Sequence, residues 1–173
     1  MRYSILTLAV MVAVAFSGCE PAFDLEKEKA AIIKVINQET DAYLERDFET
    51  MYATHVHDSL NMRLTIGADN FVYVEGWEEV SKHMSGDETE DDLGSDLNIT
   101  VEKSNYRMRV YPNSALVVCD QKWTSIFGED VNEINSIQVR FLEKIKGEWK
   151  ISFVSFIGTS GYGEMEDTEE LFD

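Results

Sequence analysis

Four consecutive residues, His55-Val56-His57-Asp58, gather two imidazoles and a carboxylate in one short stretch of chain. Imidazole titrates near neutral pH and is the commonest metal ligand, so this cluster could relay a proton or hold a metal at a pocket rim. The His-x-His spacing matches no zinc signature, and the only other histidine, His83, lies on a different segment. The expectation is therefore no metal and no cofactor, with structural or surface roles outweighing ligation. Aromatic residues offer a second chemistry. Tyr43, Tyr73, Tyr106, Trp123, Trp149 and Phe153 could line a ligand pocket, because such sites are mostly apolar with a few polar groups. They could equally fill a core, the reading favoured for Trp149 and Phe153. Gln121, on an otherwise apolar strand face, favours a cavity, since a buried amide needs partners or water.

The elements that must position these groups follow from periodicity. Asp24 is a plausible N-cap for a long helix whose stripe is Ile32, Ile33, Ile36, Thr40, Tyr43 and Leu44. Asp47 can cap a shorter helix bearing Phe48, Met51 and Tyr52, which runs out at the His-Asp cluster. Met62 to Ile66 and Phe71 to Val74 read as strands joined by a turn, and Gly76-Trp77-Glu78-Glu79-Val80 opens a third helix ending by Gly86. The acidic run from Asp87 to Asp96 reads as a solvated loop, with glycine spacing that does not suit calcium.

Beyond that loop the chain alternates as strands. A turn at Pro112-Asn113 puts Tyr106, Met108, Val110, Ala115, Val117 and Cys119 on one face. A second hairpin around Lys146-Gly147-Glu148 sets Ile137, Val139, Phe141 and Ile145 on a face with Trp149, Ile151, Phe153, Ser155 and Ile157. These registers turn Tyr106, Cys119, Gln121, Trp123, Phe141, Phe153 and Ser155 toward a pocket. They leave Arg107, Arg109, Leu116, Val118, Arg140, Leu142, Val154 and Phe156 outside, a mixture of arginine and apolar groups that suits an interface and predicts a homodimer through this outer face. The order of helices first and a long antiparallel sheet afterwards is an α+β pattern in one domain.

At the N-terminus, Arg2 precedes an apolar run from Ile5 to Phe16. A bilayer span needs about 20 residues, so this shorter run reads as a cleaved export signal. Its ending, Phe16-Ser17-Gly18-Cys19, resembles the lipobox of bacterial lipoproteins, with Phe16 where that pattern prefers Leu. The resemblance implies cleavage before Cys19, lipidation of Cys19, and attachment to a membrane of the bacterial cell envelope. Glu20 in the next position favours the outer membrane. Residues 1–18 are then a signal peptide, 19–24 a tether, 25–158 the domain and 159–173 an acidic tail expected to be disordered. With 15 Lys and Arg against 33 Asp and Glu, the formal charge is −18. Nucleic acid is an unfavourable partner for such a chain, and anionic head groups repel it, so attachment would rest on lipid. With Cys19 lipidated, Cys119 is a lone thiol inside Ala115-Leu116-Val117-Val118-Cys119, where it reads as a small buried hydrophobe.

The opening helix, Glu45-Arg46-Asp47-Phe48-Glu49-Thr50-Met51-Tyr52, the helix start at Glu75-Gly76-Trp77-Glu78-Glu79-Val80, and Gly147-Glu148-Trp149-Lys150-Ile151-Ser152-Phe153-Val154-Ser155 together resemble the nuclear transport factor 2-like superfamily, most nearly its SnoaL-like branch. The resemblance implies a cone, in which a strongly curved antiparallel sheet wraps the long first helix around a pocket, and it implies frequent dimers. Ketosteroid isomerase relatives use a tyrosine with pocket carboxylates. Tyr43, Tyr52, Tyr73 or Tyr106 could supply that donor, but Glu143 is the only carboxylate on the pocket-facing strand positions. The leading expectation is therefore binding of a small apolar or amphipathic molecule through Tyr43, Tyr52, Tyr73, Tyr106, Gln121 and Trp123, without catalysis. An isomerase, cyclase or dehydratase with His55, His57 or Asp58 as base is one alternative. A non-catalytic protein-interaction module is the other.

Overall fold

The computed structural model describes residues 23–68, 70–86 and 98–159. The signal segment, Cys19 with most of its tether, the acidic run at 87–96 and residues 160–173 of the tail lie outside the described residues. Helix α1 (Leu25–Leu44) starts where Asp24 accepts a hydrogen bond from the Lys27 amide at 3.1 Å. Helix α2 (Phe48–Ala53) starts likewise at Asp47, which accepts from the Thr50 amide at 3.0 Å. Both carboxylates satisfy an amide that the first turn leaves without a partner. Strands β1 (Met62–Ile66) and β2 (Phe71–Glu75) precede helix α3 (Trp77–Ser85), and then come β3 (Asn98–Val110), β4 (Ser114–Phe127), β5 (Asp130–Ile145) and β6 (Glu148–Gly158). At the last hairpin Lys146 and Gly147 take φ of 53° and 88°, the left-handed pair that matches strand twist in a two-residue turn.

The six strands form one curved, unclosed sheet in the order β2-β1-β6-β5-β4-β3, with α1 packed on its inner face. Every neighbouring pair is antiparallel except β1 and β6, which run parallel, so the sheet is mixed rather than wholly antiparallel. The main core joins Ile32 and Ile36 of α1 to Ala115, Val117, Leu142, Trp149, Ile151 and Val154. A smaller core of Ala42, Met51, Val80 and Met84 holds the three helices together. Buried Asn61 ties the chain before β1 to the sheet, its amide donating to the carbonyls of Val56 at 2.7 Å and Ile151 at 3.1 Å.

Two strand faces differ from the sequence expectation. From Tyr106 to Val110 and along β4 the expected faces hold, with Ala115, Val117 and Cys119 fully buried and Arg107 and Arg109 outside, while a bulge in β3 between Ser104 and Arg107 turns both Lys103 and Tyr106 inward. In β5 it is inverted: Gln138, Arg140 and Leu142 are buried, whereas Phe141 is exposed on the outer face. The pairing of Val117 with Arg140 and of Ala115 with Leu142 forces this, because directly opposite residues share a face. In β6 the register slips between Phe141 and Leu142, which pair with Phe153 and Ile151 and leave Ser152 as an extra residue. Such a bulge reverses alternation, so Trp149 and Ile151 point inward and Val154 and Phe156 continue the inner face in place of Phe153 and Ser155. Arg140, Leu142, Val154 and Phe156 therefore do not belong to the outer surface assigned to them above. That surface instead carries Leu116, Phe141 and, on β2, Phe71 and Tyr73, which are 70% and 50% exposed.

Candidate functional site

Where the end of α1 meets the inner face of β1, β4, β5 and β6, the sheet curves away and leaves a cavity of about 400 Å³. Its apolar walls are Tyr43, Ile66, Trp123, Ile134 and Phe156, and Glu39, Arg63, Gln121, Ser136 and Arg140 supply polar groups. Tyr43 meets Trp123 edge to face, with ring centroids 6.0 Å apart. Arg63 and Arg140 both lie against the Phe156 ring, their guanidinium carbons 4.5 and 6.0 Å from its centroid.

A chain of polar contacts runs through the buried wall. Gln138 donates from Nε2 to Gln121 Oε1 at 2.6 Å, and Arg140 donates from Nε to Gln138 Oε1 at 3.0 Å. Arg140 then reaches Glu39 through Nη2 at 3.0 Å, with Arg140 only 1% and Glu39 5% exposed. His55 Nε2 stands 3.9 Å from the other Glu39 oxygen, an electrostatic neighbour beyond hydrogen-bond length. Lys103, facing inward opposite Gln121, donates to the Thr40 hydroxyl next to Glu39.

Burial and charge set the protonation of this group. Burial alone would raise the Glu39 carboxyl, but Arg140, His55 and Arg63 outweigh it and hold the acid well below the ordinary carboxylate range. Burial lowers the His55 pKa, with Glu39 only partly offsetting it, so the imidazole is neutral at pH 7. Burial, with Arg140 nearby, brings the Lys103 amine down to about 8. Burial raises Cys119, keeping the thiol protonated and unreactive.

The residues singled out from sequence divide into two sets. Tyr43, Gln121 and Trp123 line the cavity. Tyr73 does not; it sits on the outer face and donates to Glu75 at 2.7 Å. Tyr52 donates to the Ser81 carbonyl at 3.1 Å and joins α2 to α3, and Tyr106 donates to Asn37 at 3.3 Å beside the main core. The Tyr106 phenol is pushed up to about 12, chiefly by burial. The histidine cluster is split. His55 turns inward to Glu39, whereas exposed His57 stacks on Trp77, with centroids 3.9 Å apart, and meets the Tyr52 carbonyl. Asp58 is exposed and accepts from the Leu60 amide at 2.8 Å, a turn-forming contact. Among the described residues no group of three or more His, Cys, Asp and Glu side chains is placed to hold a metal. Glu39, Arg63 and Arg140 were missed. Glu39 carried a signal, because it lies three residues after Ile36 on the inward stripe of α1.

Comparison with solved structures places this architecture. A protein from Novosphingobium aromaticivorans, described as nuclear transport factor 2-like with a cystatin-like fold, superposes with a TM-score of 0.65 at 13% identity, covering 93% of this chain and 94% of the other. The fold is nuclear transport factor 2-like. The same architecture occurs in the beta subunit of benzoate 1,2-dioxygenase from Burkholderia mallei, with a TM-score of 0.67, 12% identity, and 82% and 94% of the two chains covered. A ketosteroid isomerase-like protein from Erwinia carotovora atroseptica gives 0.53 at 15% identity over 76% and 95%. No family model and no curated protein matches the chain. Proteins that differ this much in role share the fold, so function has to be argued from the cavity.

Proposed function

We propose that the domain binds a small amphipathic molecule in the cavity beneath the end of α1. The observation that carries this reading is the wall itself: aromatic and aliphatic groups surround a few fixed polar atoms, the composition of a ligand site rather than of a filled core. Proton abstraction is the weaker reading. A general base works best with a pKa near the working pH, and Glu39, the one carboxylate lining the cavity among the described residues, is held far below it by its ion pair. His57 and Asp58 lie on the surface, away from the cavity lining.

The protein we propose is an envelope lipoprotein, anchored through lipid on Cys19 to the outer membrane. Support comes from the sequence Ser17-Gly18-Cys19 after a short apolar run, and from Glu20. No helix among the described residues is long and apolar enough to cross a membrane. We further propose a homodimer through the outer sheet face, supported by exposed Phe71, Tyr73, Leu116 and Phe141 on that face. Light scattering should then give twice the mass of the chain for the protein lacking its lipid, and a monomer mass would refute the dimer.

Purification from the protein's own cells tests the main reading. Wild type should fractionate with membranes and Cys19→Ser with the soluble material, and native mass spectrometry of both should show a non-covalent adduct of a few hundred daltons. An adduct-free spectrum under gentle ionisation would count against ligand binding. Full membrane retention of Cys19→Ser would count against the lipid anchor.

A further inference from the structure

The cavity wall carries more positive charge than its carboxylate neutralises. Among the described residues lining it, Arg63 and Arg140 face a single acid, Glu39, and Glu39 is taken by Arg140 Nη2. Arg140 Nη1 and Arg63 Nε are buried and have no hydrogen-bond partner among the described residues. A guanidinium N–H removed from water without an acceptor loses its hydration and gains nothing in return. Two such donors on one wall, in a chain of formal charge −18, fit an anionic acceptor that arrives from outside.

We propose that the cavity selects amphipathic carboxylates, whose oxygens accept from Arg63 and Arg140 while the apolar body lies among Tyr43, Trp123, Ile134 and Phe156. This rests on the ligand-binding reading above and names its chemical class. A planar carboxylate matches the planar donor array of a guanidinium. The aromatic and aliphatic walls reject a small, fully hydrated anion, because nothing in them replaces its lost water.

Calorimetric titration tests the selection with two acids, 2-naphthoate and decanoate, each measured beside its primary amide of nearly the same shape. Each pair differs in charge and little else. At least one acid is expected to bind the purified protein ten or more times tighter than its amide. Arg63→Gln should abolish that preference with the fold retained, because what Arg63 gives up among the described residues is a contact with the Phe156 ring and its field on Glu39 rather than a salt bridge. Acid and amide binding equally would overturn the carboxylate selection and leave the ligand-binding reading standing. If none of the four binds, both fall. A preference that persists in Arg63→Gln overturns the proposed recognition.

Discussion

Replacing Glu39 by alanine is expected to lower the unfolding free energy at pH 7 by about 3–5 kcal/mol, the usual cost of stranding one member of a buried ion pair. Arg140 sits in the main sheet at 1% exposure, and without Glu39 its charge has no counterpart among the described residues lining the cavity. The double variant Glu39→Leu with Arg140→Met should recover most of the loss, because it removes both charges and restores apolar volume. The pH dependence has a definite sign. The Glu39 carboxyl is lowered from its ordinary value of 4.5, so its stabilisation is fully present above that value and fades as pH falls through the folded-state pKa. Urea unfolding should therefore show the gap between wild type and Glu39→Ala at full size at pH 7 and narrowing below about pH 4.5. A gap below about 1 kcal/mol at pH 7 would mean that Arg140 finds water or another acceptor.

Trp149→Ala is the second large effect, about 3–5 kcal/mol, from loss of a nearly buried indole at the centre of the main core. Its contribution is not packing alone. Nε1 donates to Glu28 Oε2 at 2.7 Å, and Lys144 Nζ reaches the other oxygen at 2.6 Å, so Glu28 at the start of α1 is clamped to the β5–β6 hairpin. The Lys144 and Trp149 hydrogen bonds lower the Glu28 pKa. Trp149→Phe keeps most of the ring and removes only the donor, so it should cost about 1.5–3 kcal/mol, the range for a hydrogen bond to a charged group. If the two variants are equally unstable by denaturant midpoint, the clamp rather than the ring holds α1 in place. If Trp149→Phe is neutral, the clamp contributes nothing.

The helix limits and turns were legible because each depends on its neighbours in the chain. Asp24 and Asp47 cap as their positions predict, Gly86 follows the last turn of α3, the Pro112-Asn113 hairpin falls where expected, and the second hairpin closes within Lys146-Gly147-Glu148, with Glu148 already the first residue of β6. The parallel pairing of β1 with β6 was not legible, since it joins segments separated by most of the domain. The inner face of β5 misled for a physical reason. Alternation assigns the apolar residues inward, but here the inward residues of that strand include Gln138 and Arg140, held by the buried polar chain, while apolar Phe141 faces out. A polar site is where the usual pattern should fail. The bulge at Ser152 then reversed the second half of β6, which a one-residue slip does to every side chain beyond it. The same reversal moved Phe156 from the supposed outer surface to the wall shared by the two arginines. Of Tyr43, Tyr52, Tyr73 and Tyr106, only Tyr43 lines the cavity, because the others follow their own helices and strands to the α2–α3 junction, the outer face and the core.

The most direct measurement is a crystal structure of the protein grown with 2-naphthoate. Electron density for the ligand is expected among Tyr43, Trp123 and Phe156, with its carboxylate within hydrogen-bond distance of Arg63 and Arg140. Density at another surface, or an empty cavity whose arginines have turned to acceptors within the protein, would contradict it.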